Sequence, residues 1–156
     1  MMKILLPLDG SEAALDAVRH ALKLVDEGLQ ASFVLANVQA PTYFYEVVLA
    51  HDADLLDRAS REAGAHALAG GEALLDAAGR TWESEVGSGD PGHTLVDIVE
   101  RFGCDAVFMG ARGVGSMRSA LFGSVSQSVL QHSPVPVTIV RRADADSDSE
   151  SEAEEE

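Results

Sequence analysis

Short apolar runs typical of strands alternate with helical patterns along most of this chain, and this alternation restricts the fold more than any other feature. The second run, residues 31–38, is rich in β-forming residues. The fourth, residues 106–109, has no polar side chain, as expected of a strand buried on both faces. The alternation predicts a parallel sheet with helices on both faces, a doubly wound α/β fold. The five predicted strands are residues 3–8, 31–38, 81–86, 106–109 and 135–140.

Cap residues place helices between these strands. Ser11 is suited to the N-cap of a helix that stops at Gly28, and Asp90 followed by Pro91 is a typical helix start. A further helix is predicted after residue 123, on the apolar residues Val125, Val129 and Leu130.

Two glycines and one proline affect the predicted secondary structure. Residues 52–78 have a helical apolar stripe that contains Gly70 and Gly71. This pair either breaks the helix or only weakens it, and the sequence leaves both alternatives open. Pro136 cannot donate a backbone hydrogen bond, so its place in the fifth run favours an edge position for that strand.

Length and composition predict one domain. A chain of 156 residues, 46% of them hydrophobic, can bury a sizeable core. It has no apolar run of about 18 residues, so we expect no membrane span, and its first run is interpreted as a strand, not a signal peptide. The single cysteine, Cys104, is expected to be buried and inert, and it fits a cytoplasmic location. The five histidines show no metal-ligand spacing.

Acidic residues dominate the charge. The net charge is −15, and residues 144–156 carry eight acidic residues and no basic one. The rest of the chain holds 18 acidic and 11 basic residues, a net charge of −7. We therefore predict one domain over residues 1–142 and a disordered acidic tail over residues 143–156. A chain this acidic is a poor candidate for nucleic-acid binding, which needs Lys and Arg to neutralise phosphates.

The stretch that follows the fourth predicted strand is unusually rich in glycine. Residues 110–116 fit the frame of a P-loop except for its lysine, and without that lysine we reject a P-loop. Residues 87–92 match a dinucleotide fingerprint but follow the third strand instead of opening the first βα unit, so this match is weak. Two alternatives remain for residues 110–124: tight surface turns, or a backbone site for an anion such as a phosphate.

The glycine spacing resembles that of a known family. Gly110, two residues, Gly113, nine residues and then Gly123 and Ser124 reproduce the ATP-binding signature of the universal stress protein family. The opening ILLPLDGSEAA and the ending SVLQHSPVPVTIVRR also resemble that family, and the resemblance covers about residues 2–142. It implies a Rossmann-like sheet of the adenine nucleotide alpha hydrolase type, with strand order 3-2-1-4-5, and a homodimer formed through residues 135–140.

Strand ends and the resemblance together predict the site. Ligands of such sheets lie beyond the carboxyl ends of the strands, where the strand order reverses. Asp9 follows the first strand; it also fits a plain turn residue or helix cap, and Val38 also fits the core. The predicted nucleotide-binding residues are Pro7, Leu8, Asp9, Val38, Met109, Gly110, Arg112, Gly113, Gly123, Ser124, Val125 and Ser126.

The resemblance implies ATP, ADP or AMP as the ligand, with Mg²⁺ carried by the phosphates. No nucleophile with a nearby base and no metal-ligand cluster is visible in the sequence, so we expect a stress-response binding protein with at most weak ATPase activity, acting on a regulated protein partner. Two alternatives stay open. One is a nucleotide-hydrolysing enzyme of the related fold, and the other is an interaction protein that binds no nucleotide.

Overall fold

The computed structural model describes residues 1–40, 53–111 and 123–141. Arg112, Gly113 and the predicted acidic tail lie outside these described residues. The helices are α1 (Glu12–Asp26), α2 (Ala53–Ala77), α3 (Pro91–Phe102) and α4 (Ser124–His132). The strands are β1 (Met2–Pro7), β2 (Ala31–Gln39), β3 (Trp82–Ser88), β4 (Ala106–Gly110) and β5 (Val137–Val140).

The five strands form one parallel sheet in the order β3-β2-β1-β4-β5, which confirms the predicted fold class and strand order. β5 lies at an edge, as predicted, but it begins one residue after Pro136 and not before it. The Pro136 carbonyl accepts a hydrogen bond from the Val107 N–H at 2.9 Å, so the proline still joins β4 through its acceptor. Its missing donor is tolerated because Pro136 precedes the first residue of this edge strand.

The central strand β1 is buried on both faces of the sheet. Ile4 and Leu6 pack on one face against α1 and α2, in a cluster that includes Val18 and Leu75. Leu5 packs on the other face with residues from α3 and α4, among them Ile98 and Val129. Alternate side chains of one strand therefore enter two cores, as the pleat of a strand requires.

Helix α2 is continuous through Gly70 and Gly71, which decides the alternative that the sequence left open. A Cβ atom at Gly71 would collide with the side chain of Leu8, and one at Gly70 would lie 3.1 Å from the Leu15 side chain. The two glycines therefore let α2 lie close to the end of β1 and to α1. This close packing offsets their low helix propensity, which is about 1 kcal/mol per glycine relative to alanine.

Burial explains the state of Cys104. The side chain is buried just before β4, and this burial raises the pKa of the thiol to about 11. The thiolate is therefore scarce at neutral pH, in line with the expectation of an inert cysteine.

Within the described residues, no helix combines the length and the apolar content that a membrane crossing requires.

Gly110, the last residue of β4, lies against the first turn of α1. A Cβ atom at this position would collide with the backbone carbonyl of Ala13. Neither β4 nor α1 can move away without disturbing the core, because both are buried parts of it. Glycine at position 110 is thus required by backbone packing, independently of any ligand.

We expect Gly110→Ala to lower the free energy of unfolding by roughly 1–3 kcal/mol, because it overpacks a rigid backbone contact. Gly79→Asn is the control: a Cβ there meets nothing within 4 Å, and asparagine tolerates its φ of +66°. Urea unfolding of both variants measures the difference. Equal stability of Gly110→Ala and the wild type would contradict the proposed contact.

Candidate functional site

A cavity of about 390 Å³ opens at the carboxyl ends of β1 and β4. Ten of the twelve predicted site residues line it, and the other two, Arg112 and Gly113, lie outside the described residues. The ten are Pro7, Leu8, Asp9, Val38, Met109, Gly110, Gly123, Ser124, Val125 and Ser126.

The topology explains why the cavity lies here. β1 is followed by α1, which packs on one face of the sheet, and β4 is followed by α4, which packs on the other. The two connections diverge at neighbouring strand ends, and this divergence opens a crevice at the point where the strand order reverses.

The N-terminus of α4 forms one wall of the cavity. Its N-cap, Gly123, has extended backbone angles and provides no side-chain hydrogen bond to the helix. The first N–H groups of any helix lack intrahelical partners, and here they belong to Ser124, Val125 and Ser126. Together with the positive end of the helix dipole, they suit an anion.

Asp9 lies in the turn between β1 and α1. Its Oδ1 accepts a hydrogen bond from the Ser11 N–H at 2.9 Å, so the interpretation of Asp9 as a turn residue agrees with the geometry. The interpretation as a helix cap does not, because Ser11 is the N-cap and its Oγ accepts from the Ala14 N–H at 3.2 Å. Asp9 also lines the cavity and is exposed, so a ligand can reach its carboxylate.

Asn37 is a cavity residue that the sequence analysis missed. It is only 5% exposed, its Nδ2 donates to the Leu8 carbonyl at 2.7 Å, and its Oδ1 accepts from Gln39 Nε2 at 2.5 Å. An asparagine inside a mainly apolar β run was the available signal, because asparagine is depleted in strands and seldom buried.

The other missed residues complete the walls and are mostly apolar. The predicted helix start at Asp90 and Pro91 could have indicated the α3 wall, since it follows the end of a strand at the same edge of the sheet. The missed lining residues besides Asn37 are Ser11, Ala13, Ala14, Ala36, Pro91, Leu95 and Ala111.

Asp90 and His93 interact closely at the start of α3, next to this wall. Asp90 caps the helix, and its Oδ2 lies 2.6 Å from His93 Nδ1 and accepts from the His93 N–H at 3.1 Å. Hydrogen bonding by the His93 side chain and backbone holds the pKa of Asp90 below its ordinary value of 3.8. The His93 ring also lies 5.0 Å from the His132 ring, which joins α3 to the end of α4.

In the part of the chain that the structure describes, no group of three or more His, Cys, Asp or Glu side chains could hold a metal ion.

The model of the universal stress protein family matches residues 1–141. The chain belongs to the universal stress protein family. Among curated proteins it is similar to the universal stress protein MJ0531 of Methanocaldococcus jannaschii, at 26% identity over 140 residues that cover 90% of this chain and 82% of the relative.

Two solved structures resemble the fold of this universal stress protein. One is the hypothetical protein MJ0577 of Methanocaldococcus jannaschii, with a TM-score of 0.71 and 26% identity, covering 90% of this chain and 96% of that one. The other is a universal stress protein in complex with cAMP, with a TM-score of 0.58 and 25% identity, covering 89% of this chain and 95% of that one.

Asp90 should make this universal stress protein sensitive to acid. Because the pKa of Asp90 is lower in the folded state, its stabilising effect is complete well above the unfolded-state value near 4 and is lost as the pH falls through the folded-state pKa. Asp90→Asn keeps a good N-cap but removes the charge. In urea unfolding, the variant should therefore lose less stability than the wild type between pH 7 and pH 3. Identical losses, or a carboxyl titration by NMR centred above 3.8, would contradict this account.

Proposed function

We propose that this chain is a stress-response regulatory protein that binds an adenine nucleotide, ATP, ADP or AMP, in the cavity beyond β1 and β4. One observation carries the proposal. The same cavity has the apolar ends of strands on one side and the uncapped N-terminus of α4 on the other. An adenine nucleotide has the matching polarity, with a flat base at one end and phosphates at the other.

The adenosine end of the ligand would lie at the ends of β1 and β2. Val38 of β2 and Leu95 of α3 supply apolar surface to the cavity, and such surface suits a flat base. Asp9 keeps one carboxylate oxygen for a ribose hydroxyl while the other accepts from Ser11. A hydroxyl bound to a carboxylate is a charge-assisted hydrogen bond, which is stronger than a neutral one.

The phosphates would lie at the start of α4. The N–H groups of residues 124–126 and the hydroxyls of Ser124 and Ser126 are donors suited to an anion. The family resemblance implies that Arg112 and Gly113 also bind the phosphates. Mg²⁺ would enter bound to the phosphates of ATP. The complex of cAMP with a similar universal stress protein supports this proposal, because cAMP contains adenine, ribose and a phosphate.

Binding fits the cavity better than hydrolysis does. Among the described lining residues Asp9 is the only acid, and His, Lys and Arg do not occur there. One carboxylate that already accepts from the turn is a poor general base for water at the opposite, phosphate end. We therefore propose a binding protein with at most slow ATPase activity; a hydrolase of the related fold remains the second candidate.

Calorimetry with adenosine, ATP and tripolyphosphate should separate the two ends of the site. Asp9→Ala should weaken adenosine and ATP but spare tripolyphosphate. Gly123→Asp should lower the affinity for ATP and tripolyphosphate by tenfold or more and leave the affinity for adenosine unchanged. The reason is that it adds a negative charge where the phosphates would bind. A tenfold loss of affinity corresponds to about 1.4 kcal/mol.

Gly123→Asn is the matched control for the phosphate end, because it offers the same cap without the charge. It should bind tripolyphosphate more tightly than Gly123→Asp does. If the wild type binds neither adenosine nor ATP, the proposed function is wrong. If Gly123→Asp binds ATP like the wild type, the phosphates do not lie at α4.

We also propose a homodimer that pairs β5 with β5 of a second copy. β5 is an edge strand whose four residues are all half-buried, and proteins usually cover such an edge. Val137 and Ile139 pack against the core cluster that contains Leu5 and are only partly buried there. Because each chain carries a net charge of −15, we expect salt to strengthen the dimer by screening repulsion between the copies.

Val137→Lys should shift the protein towards monomer, because it places a charged side chain on the edge strand that the proposed dimer would cover. Val137→Thr, which keeps the shape and the strand preference, should remain dimeric. Light scattering at micromolar concentration measures the mass, with circular dichroism to confirm folding. A monomeric wild type would rule out the dimer.

A further inference from the structure

Each polar group of the Asn37 side chain has a hydrogen-bond partner within the protein. The side chain lies in the cavity wall, yet its Nδ2 donates to the Leu8 carbonyl at 2.7 Å and its Oδ1 accepts from Gln39 at 2.5 Å. An asparagine amide has two N–H donors and two acceptor lone pairs, so one of each remains, but only 5% of the residue is exposed. Held between Leu8 and Gln39, the buried side chain is better placed to fix the wall than to bind a ligand.

The bond to Leu8 extends β1 beyond the end of its ladder. The register of β1 with β2 ends at the pair Pro7 and Ala36. One residue later, the Leu8 N–H still donates to the Ala36 carbonyl at 2.7 Å, and the Leu8 carbonyl takes its hydrogen bond from the Asn37 side chain. Leu8 is thus tied to β2 through both of its backbone groups.

This anchor lies directly before Asp9. Gly10 has a φ of +87°, and a Cβ there would lie 3.7 Å from the Ala67 backbone, so the turn runs close to α2. Asp9 itself is exposed and is restrained by the hydrogen bond to Ser11. With Leu8 fixed on one side and Ser11 in the cap of α1 on the other, the direction of the Asp9 carboxylate depends on both anchors.

We infer that Asn37 is a positioning residue that holds Asp9 in place for the sugar of the ligand. The inference rests on the proposed adenine-nucleotide site and adds its specificity for ribosides. Without the Asn37 bond, the Leu8 carbonyl is left without this partner and the turn gains freedom that a ligand must remove on binding. The phosphate end, at α4, is formed by a different segment and does not depend on this anchor.

The first test needs no ligand. Backbone ¹⁵N order parameters of Asp9 and Gly10 should fall in Asn37→Leu from about 0.85, typical of rigid backbone, to below about 0.6. Gln39→Ala should keep the rigid values, because it leaves the bond from Asn37 to Leu8 in place. Val99→Ala, a buried change in α3 outside the cavity lining, shows the effect of lower stability alone. Unchanged order parameters in Asn37→Leu would overturn the inference.

The second test is a double-mutant cycle on adenosine affinity. Asn37→Leu should lower the affinity for adenosine by about tenfold. A tenfold change in affinity corresponds to about the free energy lost when a buried group loses its hydrogen-bond partner. The affinity of the variant for tripolyphosphate should stay within about twofold of the wild-type affinity, which is the scatter expected of independent sites. Adding Asn37→Leu to Asp9→Ala should weaken adenosine no further, because Asn37 acts through Asp9. Additive losses would overturn the inference.

The outcomes separate this inference from the proposed function. If the wild type binds adenosine and Asp9→Ala weakens it, but Asn37→Leu binds it normally, the site stands and the positioning role is wrong. If the wild type binds neither adenosine nor ATP, the proposed function fails and the role in binding fails with it. Circular dichroism checks folding. Should Asn37→Leu not fold, Asn37→Ala replaces it in both tests, because it removes the same hydrogen bonds with a smaller side chain.

Discussion

The burial of β1 on both faces is the constraint on which the rest of this structure depends. A strand with Ile4 and Leu6 on one side and Leu5 on the other needs a helical layer against each face. The chain supplies α1 and α2 to one face and α3 and α4 to the other, so the segments that leave β1 and β4 must diverge. The crevice between them follows from this core, and its walls are strand ends and helix starts.

The net charge of the chain sets a condition on the proposed nucleotide site. A chain with a net charge of −15 repels anions at long range, and salt screens that repulsion over about 8–10 Å. In the proposed site, an anionic nucleotide would therefore depend on donors at close range, namely the N–H groups at the start of α4. The apolar half of the cavity would supply affinity that does not depend on charge, so base and phosphates would be held by different forces.

The pattern of apolar residues predicted the strands and helices because burial imposes this pattern directly, as in the wholly apolar β4. It could not decide whether Gly71 breaks α2, because the answer depends on the distant Leu8 side chain. Strand ends and the family resemblance together predicted ten of the eighteen residues that line the cavity, since the topology brings the ends of β1 and β4 together. Asn37 escaped because its role comes from the Leu8 carbonyl, 29 positions away in the sequence. For Gly110 the sequence suggested a phosphate, whereas the contact with Ala13 gives a packing reason that only the fold reveals.

The most direct test of the central claim is a map of amide chemical shifts while Mg²⁺ and ATP are added to ¹⁵N-labelled protein. The account predicts the largest changes in two separate segments that meet at the cavity, residues 8–11 after β1 and residues 123–126 at the start of α4. Adenosine alone should move the first segment and leave the second nearly unchanged. No saturable shifts with ATP, or shifts confined to surfaces away from the ends of β1 and β4, would contradict it.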